Sequence, residues 1–288
     1  MDKNRIVEEI AQSIKKSVIT LPDDILSALK RAYEEESSEI AKTQFEAIMN
    51  NIDVGAREQK PLCQDTGTIT FYITAGDSSP LLSDLEGILT QATRRATDIT
   101  PLRPNTVDPF THKNAGDNTG RYIPYINWEI AKGADIDLWV LPKGGGSENS
   151  TALAMMSPSL GISGVKRFVI EHSSKVIGKT CPPVVIGIGI SGVADLSLKL
   201  AKKLLLEPIG KRNSDPEIAR LEIEIKDAIN GLGIGAMGLG GDTSVLDVKM
   251  NYSHRHPASL AVGVAYECWC DRKTHLIIKP DGKVVSDV

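Results

Sequence analysis

The chain has 288 residues, of which 41% are hydrophobic, and its formal net charge is -4. A chain of this length and composition can bury one large core or two smaller ones, as expected of a soluble globular protein. Lys and Arg (33) are outnumbered by Asp and Glu (37) and form no long basic run, so neither nucleic acid nor an anionic membrane surface is an expected partner.

The N-terminal segment MDKNRIVEEIAQ carries charges where a signal peptide has an apolar core, and no stretch approaches the roughly 18 apolar residues of a membrane helix. We therefore expect a cytoplasmic protein without a membrane span. The four cysteines are too few for a disulfide scaffold: Cys63, Cys181, Cys268 and Cys270. They are core thiols, a catalytic thiol or metal ligands, and the lack of a C-x₂-C pair disfavours structural zinc.

The first 50 or so residues are predicted to be helical. Isoleucines recur at four-residue spacing at Ile6, Ile10 and Ile14. Two further amphipathic stretches follow, at 22–33 and 39–49. The charged segment YEEESSE between them is predicted to lie on solvated turns and helix faces.

Beyond residue 60, short β-branched runs bounded by Gly or Pro alternate with helical patterns. The predicted strands are 68–74, 137–141 and 184–190, and the predicted helices are 82–97, 164–177, 194–206 and 215–230. This order indicates an α+β fold, with a helical N-terminal subregion at about 1–52 and a mixed β-sheet flanked by helices at about 53–288. No Pro-, Gly- or Ser-rich linker separates the two parts, so one domain covering 1–288 is the simplest prediction.

The segment KPLCQDTG places a thiol, an amide, a carboxylate and a hydroxyl at four consecutive positions, Cys63 to Thr66. This density of reactive groups in a turn suggests a functional site. The alternative is that Cys63 is a small buried apolar residue and that Asp65 caps a turn.

The segment KGGGSENS (143–150) follows a predicted strand and precedes a helix-like pattern. Successive N–H groups at such a position can bind a carboxylate or a phosphate. The pattern matches neither the P-loop nor the dinucleotide fingerprint, and a plain flexible loop is the alternative.

Two later segments also carry candidate groups. In TCPP, two prolines fix the backbone after Cys181, which suits a metal ligand and equally suits the start of a strand. A glycine-rich segment (231–241) leads to His254 and His256, which in a strand would point to the same side, so that one could be catalytic or orienting. Cys268 and Cys270 could face alike for the same reason. Because the cysteines are far apart in sequence, only the fold could assemble a thiol site.

Several motifs together resemble the iron–sulfur class I fumarases. They are PLCQDTG, PLRPN (101–105), NTG (118–120), PKGGGSEN, TCPP followed by IGIGISG, LEPIG, LGIGAMGLGGDTSVLDV, and RHPAS followed by CW. Over about 5–275 the whole chain is similar to the separate alpha subunit of the two-subunit type. The resemblance implies the N-terminal-domain fold of that family and a single catalytic alpha-subunit domain.

The resemblance also implies a cofactor, a 4Fe-4S cluster held by Cys63, Cys181 and Cys268 with one iron that no cysteine binds. Such an iron can act as a Lewis acid on a substrate oxygen. Cys270 has no counterpart, because the family usually has a small residue there.

The substrate residues implied by the resemblance are Gln64, Arg103 and the three glycines Gly144, Gly145 and Gly146. Arg103 offers a planar fork for a carboxylate, and the glycine amides offer further donors. Asp65 and His256 are implied as catalytic, Asp65 in proton transfer and His256 at a substrate carboxylate.

The implied activity is the hydro-lyase reaction that reversibly hydrates fumarate to (S)-malate in the tricarboxylic acid cycle. The family completes its site with a second domain that these residues lack, so we expect a separate beta subunit and a heterodimer or heterotetramer. The alternatives are the alpha subunit of an L-tartrate dehydratase, a mesaconate hydratase, a non-catalytic iron–sulfur sensor, and a binding module without metal. The segment PKGGGSEN favours fumarase over the tartrate enzyme.

Overall fold

The structure is a computed structural model that describes residues 2–286. Its helices are α1 (Lys3–Ile19), α2 (Asp23–Glu35), α3 (Glu39–Glu58), α4 (Leu85–Ile99), α5 (Gly145–Glu148), α6 (Gly161–Val176), α7 (Ala194–Leu204) and α8 (Pro216–Asn230). Its strands are β1 (Thr68–Gly76), β2 (Tyr125–Ala131), β3 (Ile136–Lys143), β4 (Ala152–Met156), β5 (Val184–Ser191), β6 (Val245–Tyr252), β7 (Leu260–Glu267), β8 (Thr274–Ile278) and β9 (Val284–Ser286). The predicted α+β class is confirmed.

The chain divides into two compact units, each built from separate segments. Unit 1 contains the chain up to Pro22, Asn50–Gly145, and the chain from Arg272 onward, and unit 2 contains Asp23–Met49 and Gly146–Asp271. The predicted helical subregion is therefore shared between units, with α1 in unit 1 and α2 in unit 2. No linker marks the change of unit because two of the crossing points lie inside α3 and α5.

Unit 1 is a five-stranded sheet in the order β2-β1-β3-β8-β9, in which only β1 and β2 are parallel. The apolar faces of α1 and α4 cover one side of this sheet. The isoleucines spaced at four residues in α1 are all fully buried in that core: Ile6, Ile10 and Ile14.

Unit 2 contains a four-stranded sheet in the order β4-β7-β5-β6, with β5 parallel to β6 and antiparallel to β7. Helices α6 and α8 pack on the isoleucine side of β5. On the other side, a Cβ atom at Gly187 would lie 2.0 Å from Ala201 O, and one at Gly189 would lie 2.1 Å from Ser197 O. The alternating glycines of IGIGIS therefore let α7 pack directly against the strand.

A buried charge network fixes the loop that follows α7. The Asp247 carboxylate accepts hydrogen bonds from Gly210 N (2.8 Å), Lys249 Nζ (3.0 Å) and Arg212. Burial acts to raise the pKa of Asp247, but the hydrogen bonds from Arg212 and Gly210 and the charge of Lys249 outweigh it and hold the pKa below its usual value. Burial lowers the pKa of Lys249 and raises that of Glu222 beside them.

The charged segment YEEESSE is not wholly solvated as predicted. Glu36 is 3% exposed, and its carboxylate accepts hydrogen bonds from Asp242 N (2.9 Å), Ser38 N (3.0 Å) and Thr243 N (3.4 Å). Buried backbone N–H groups need acceptors, and this carboxylate supplies one to the end of the glycine-rich segment of unit 2.

The three strands and the later helices predicted from sequence are confirmed as β1, β3, β5, α4, α6, α7 and α8. The third predicted helix continues to Glu58 as α3, and the other six strands were not predicted. Within residues 2–286, no helix is both long enough and apolar enough to cross a membrane.

Candidate active site

The KPLCQDTG segment of unit 1 forms a turn organised by the carboxylate of Asp65. Its Oδ1 accepts hydrogen bonds from Gly67 N (3.0 Å) and Asn105 Nδ2 (3.0 Å), and its Oδ2 accepts one from Gly145 N (2.7 Å). Three donors on one carboxylate fix its orientation. The turn-capping role that the sequence left as an alternative is therefore present, and proton transfer by Asp65 stays a prediction.

The same contact bears on the predicted substrate role of the glycines. Gly145 N donates to Asp65, so in this arrangement the amide serves a protein carboxylate. Gly144 is buried, whereas Gly145 and Gly146 are exposed. Substrate binding by the three glycines stays a prediction.

Arg103 lies beside this turn, because its backbone N donates to Thr66 Oγ1 (3.0 Å). Its side chain is exposed, and no ion pair or hydrogen bond to the described residues engages the guanidinium. Gln64 is also exposed. Unit 1 thus brings together the amide of Gln64, the carboxylate of Asp65 and the available guanidinium of Arg103.

Three buried basic side chains occur in unit 1 that the sequence analysis did not single out for chemistry. Lys143, Arg272 and Lys273 are 7%, 1% and 3% exposed. Arg272 Nη1 donates to the backbone oxygen of Asp65 (2.8 Å). The signal in the sequence is the charged triplet DRK between Cys270 and the apolar strand β8, but only the fold shows that it is buried.

In unit 2, the segments that carry Cys181 and Cys268 are joined by backbone contact. Trp269 N donates to Cys181 O (3.2 Å), and Met237 N donates to Pro182 O (2.8 Å). Cys181 is exposed and has a φ of 53°, a conformation that costs a non-glycine residue energy. Strained backbone of this kind is found mostly at functional sites, so the conformation of Cys181 favours a role for its thiol.

The residues after the triple glycine contact both of these segments. Ser147 Oγ donates to Glu267 Oε1 (3.3 Å), next to Cys268, and Ser150 Oγ lies 2.7 Å from Thr180 Oγ1, next to Cys181. The helical pattern predicted here is limited to the one turn of α5 before β4 begins. Its Glu148 pairs with Lys202 of α7.

His256 lies in an exposed loop of unit 2 and not in a strand, so the strand on which a same-side arrangement with His254 depended is absent there. Its Nδ1 accepts a hydrogen bond from Ala258 N (3.1 Å), so the neutral ring carries its hydrogen on Nε2. Arg255 stabilises the loop by donating to the backbone oxygens of His256, Pro257 and Ser259.

The four cysteines form no disulfide. Cys63 and Cys268 are half-buried and Cys181 is exposed, whereas Cys270 is 1% exposed. Cys268 and Cys270 therefore do not face alike, because the chain leaves β7 at Glu267.

Among the described residues, no three His, Cys, Asp or Glu side chains are placed to hold one metal ion. The thiolates of an iron–sulfur cluster bind different irons, so they need not converge on one point, and three accessible thiols have the soft-donor chemistry that such a cluster requires. Cys63 belongs to unit 1 and the other two to unit 2. The chemistry of these thiols suits a cluster, and the cluster itself stays a prediction.

Comparison with known proteins identifies the family. The model of the family described as fumarate hydratase (Fumerase) matches residues 7–277. A Methanocaldococcus jannaschii protein provisionally named L(+)-tartrate dehydratase subunit alpha is 46% identical over 285 residues, covering 97% of this chain and 100% of the relative. The L(+)-tartrate dehydratase subunit alpha of Escherichia coli O157:H7 is 36% identical over 279 residues, covering 96% and 92%. The chain belongs to the fumarate hydratase family.

Proposed function

We propose that the chain is the alpha subunit of an iron–sulfur hydro-lyase that reversibly hydrates fumarate to (S)-malate. The family and the names of the relatives support a hydro-lyase subunit. The observation that carries the proposal is the available guanidinium of Arg103 beside the turn centred on Asp65. The backbone N–H of Arg103 donates to Thr66 of that turn and so holds Arg103 next to it. A dicarboxylate substrate requires such a donor for each of its charged ends.

Each residue then has a separate task. Arg103 grips one substrate carboxylate through two parallel N–H donors, and Gln64 donates beside it. His256 presents its Nε2–H to a substrate carboxylate, because its Nδ1 is engaged by Ala258 N. Asp65, oriented by three donors, accepts a proton in the reaction or keeps the turn in place.

Cys63, Cys181 and Cys268 would hold the cluster, which supplies a Lewis acid that polarises the substrate hydroxyl as a leaving group. A base on the opposite face of the substrate, supplied by the beta subunit, would take the proton from the adjacent carbon, and Arg103 and His256 would stabilise the negative charge that develops on the carboxylate. No net oxidation or reduction of the substrate occurs.

A separate beta subunit would complete the site. The relatives at 36% and 46% identity are both named as a subunit alpha. In this chain, Arg103 can grip only one end of a dicarboxylate, so a partner that supplies cationic side chains for the other end fits the chemistry. The assembly would be a heterodimer or a heterotetramer.

L-tartrate dehydration is the second candidate, because the curated relatives carry that name. Tartrate has one hydroxyl more than malate, and a pocket that must pair this hydroxyl discriminates strongly between the two. Mesaconate differs from fumarate by a methyl group and uses the same chemistry.

The test is to purify the chain anaerobically, alone and with a co-expressed beta subunit, and to follow the ultraviolet absorbance of fumarate, of mesaconate and of the oxaloacetate that forms from L-tartrate. Fumarate turnover that requires both subunits and the cluster supports the proposal. Turnover of tartrate alone assigns the second candidate, and a cluster without any turnover indicates a sensor. Full activity of the chain by itself would contradict the proposed partner.

A further inference from the structure

We propose that Arg272 is a positioning residue. It holds the turn formed by residues 63–67, the 63–67 turn, in the geometry that the reaction needs. The inference rests on the proposed function, because the groups that the turn places are the proposed substrate contacts. Every contact that carries it lies within unit 1.

Arg272 contacts the middle residue of this turn. Its side chain is among the largest fully buried ones, and Nη1 donates to the backbone oxygen of Asp65 at 2.8 Å. The guanidinium thus holds the main chain of the residue whose carboxylate receives Asn105 and Gly145. Burying an arginine is costly unless its donors find acceptors, and the backbone oxygen of Asp65 is such an acceptor.

The backbone next to Arg272 is held in place by α1 and β8. Arg272 stands two residues before Thr274, the first residue of β8, and Thr274 Oγ1 lies 2.7 Å from Ser13 Oγ of α1. Strand β8 pairs with β3, which ends at Lys143, just before the glycines. Arg272, two residues before β8, therefore connects the 63–67 turn to the start of a strand of the unit 1 sheet.

The positions of two proposed substrate contacts depend on this turn. Thr66 Oγ1 accepts a hydrogen bond from Arg103 N, and the Asp65 carboxylate accepts one from Gly145 N. A shift of the turn would displace Arg103 and Gly145 together. A misplacement of about 1 Å can cost roughly 100-fold in rate, so a distant anchor can control turnover without touching substrate.

The test is Arg272→Lys in the assembled alpha–beta enzyme. Lysine keeps the charge but loses the planar fork, so the rotatable donors of its one nitrogen do not hold the same geometry. We expect kcat/KM to fall by about tenfold or more, with both KM and kcat affected. Hydrogen exchange measured by mass spectrometry should quicken in peptides covering the 63–67 turn, 101–106 and 143–148, and stay unchanged in β5.

Two controls separate positioning from lost stability. Arg95→Lys changes an exposed arginine of unit 1 that pairs with Glu8 and should leave all readouts at wild-type values. Leu89→Ala opens a cavity in the unit 1 core on α4, and should lower Tm while leaving kcat/KM within about twofold. If Arg272→Lys does not assemble, Arg272→Gln retains an N–H donor without the buried charge and is judged by the same readouts.

The proposal is overturned if the Arg272 variant keeps kcat/KM within about twofold of wild type, or if Leu89→Ala loses as much activity at the same Tm. It is also overturned if exchange at the three peptides is unchanged. A wild-type enzyme that turns over no dicarboxylate would instead refute the proposed function, and the exchange measurement would still report whether Arg272 anchors the turn.

Discussion

Asp65 Oδ2 accepts a hydrogen bond from Gly145 N at 2.7 Å, joining residues 80 positions apart in the chain. The two motifs PLCQDTG and PKGGGSEN, which are separate in the sequence, therefore meet through a charged acceptor and a backbone donor within unit 1. The contact removes one of the three glycine amides as a substrate donor, because Gly145 N already donates to Asp65.

Replacing this carboxylate by an amide tests how the contact matters. Asp65→Asn keeps the size of the side chain but turns an NH₂ group toward donors that need an acceptor, and hydrogen bonds to charged groups contribute about 1.5–3 kcal/mol. We expect kcat/KM to fall roughly 100-fold with Tm lowered by only a few degrees, measured by steady-state kinetics and calorimetry. Wild-type kinetics in this variant would remove Asp65 from both proton transfer and positioning.

Arg103 gives a prediction about binding. Arg103→Lys should raise KM by about tenfold, equivalent to about 1.4 kcal/mol, because a point charge cannot replace a bidentate fork. The Tm should not change, since the guanidinium has no partner among the described residues. Arg95→Lys serves as the control at an exposed position. An unchanged KM would show that the substrate carboxylate is bound elsewhere.

Local patterns predicted much of the fold correctly. Four-residue spacing identified α1, and β-branched runs between Gly and Pro identified β1 and β5, because these signals depend on neighbouring residues. The strands β6 and β7 were not predicted. They are almost entirely buried, and such strands lack the alternation of polar and apolar residues that local analysis requires.

Contacts between residues far apart in the chain could not be predicted from the sequence. Glu36 stands in a charged run that is typical of a solvated surface, yet its carboxylate binds amides about 206 positions away at Asp242. Arg272 stands in a similar charged triplet and contacts Asp65. In both cases burial depends on which segment packs opposite, and this is set by the tertiary fold.

The buried Glu36 also yields a stability prediction. Glu36→Gln should lower the free energy of unfolding by about 1.5–3 kcal/mol, because the amides of Asp242 and Thr243 lose a charged acceptor. Glu34→Gln, at an exposed position of α2, should change it by less than about 0.5 kcal/mol. Denaturant unfolding of both variants provides the comparison, and equal effects would contradict the role given to Glu36.

The cysteines allow the proposed cofactor to be tested separately from activity. Anaerobically purified protein should contain about four irons per chain, the content of one 4Fe-4S cluster. Each of the variants Cys63→Ser, Cys181→Ser and Cys268→Ser should lose most of the iron, the acid-labile sulfide and the visible absorbance. Cys270→Ala is the matched control, because Cys270 is buried and the resemblance assigns it no iron. Loss of iron in the control alone would reverse the ligand assignment.

The network at Asp247 predicts how stability responds to acid. Its pKa is held below the usual value in the folded chain, so the ionised carboxylate stabilises the fold above the unfolded pKa of about 4, and this contribution is lost as pH falls through the folded pKa. Glu222, whose pKa is raised, acts in the opposite sense in the same range.

Asp247→Asn should therefore lower the free energy of unfolding at pH 7 by about 3–5 kcal/mol, since Lys249 would stay buried without its charged partner. The loss of stability between about pH 4 and pH 2 should also become shallower than in the wild type. Asp53→Asn, on an exposed position of α3, should alter neither quantity. Denaturant titrations across this pH range measure both effects, and an acid limb as steep as in the wild type would show that Asp247 does not control it.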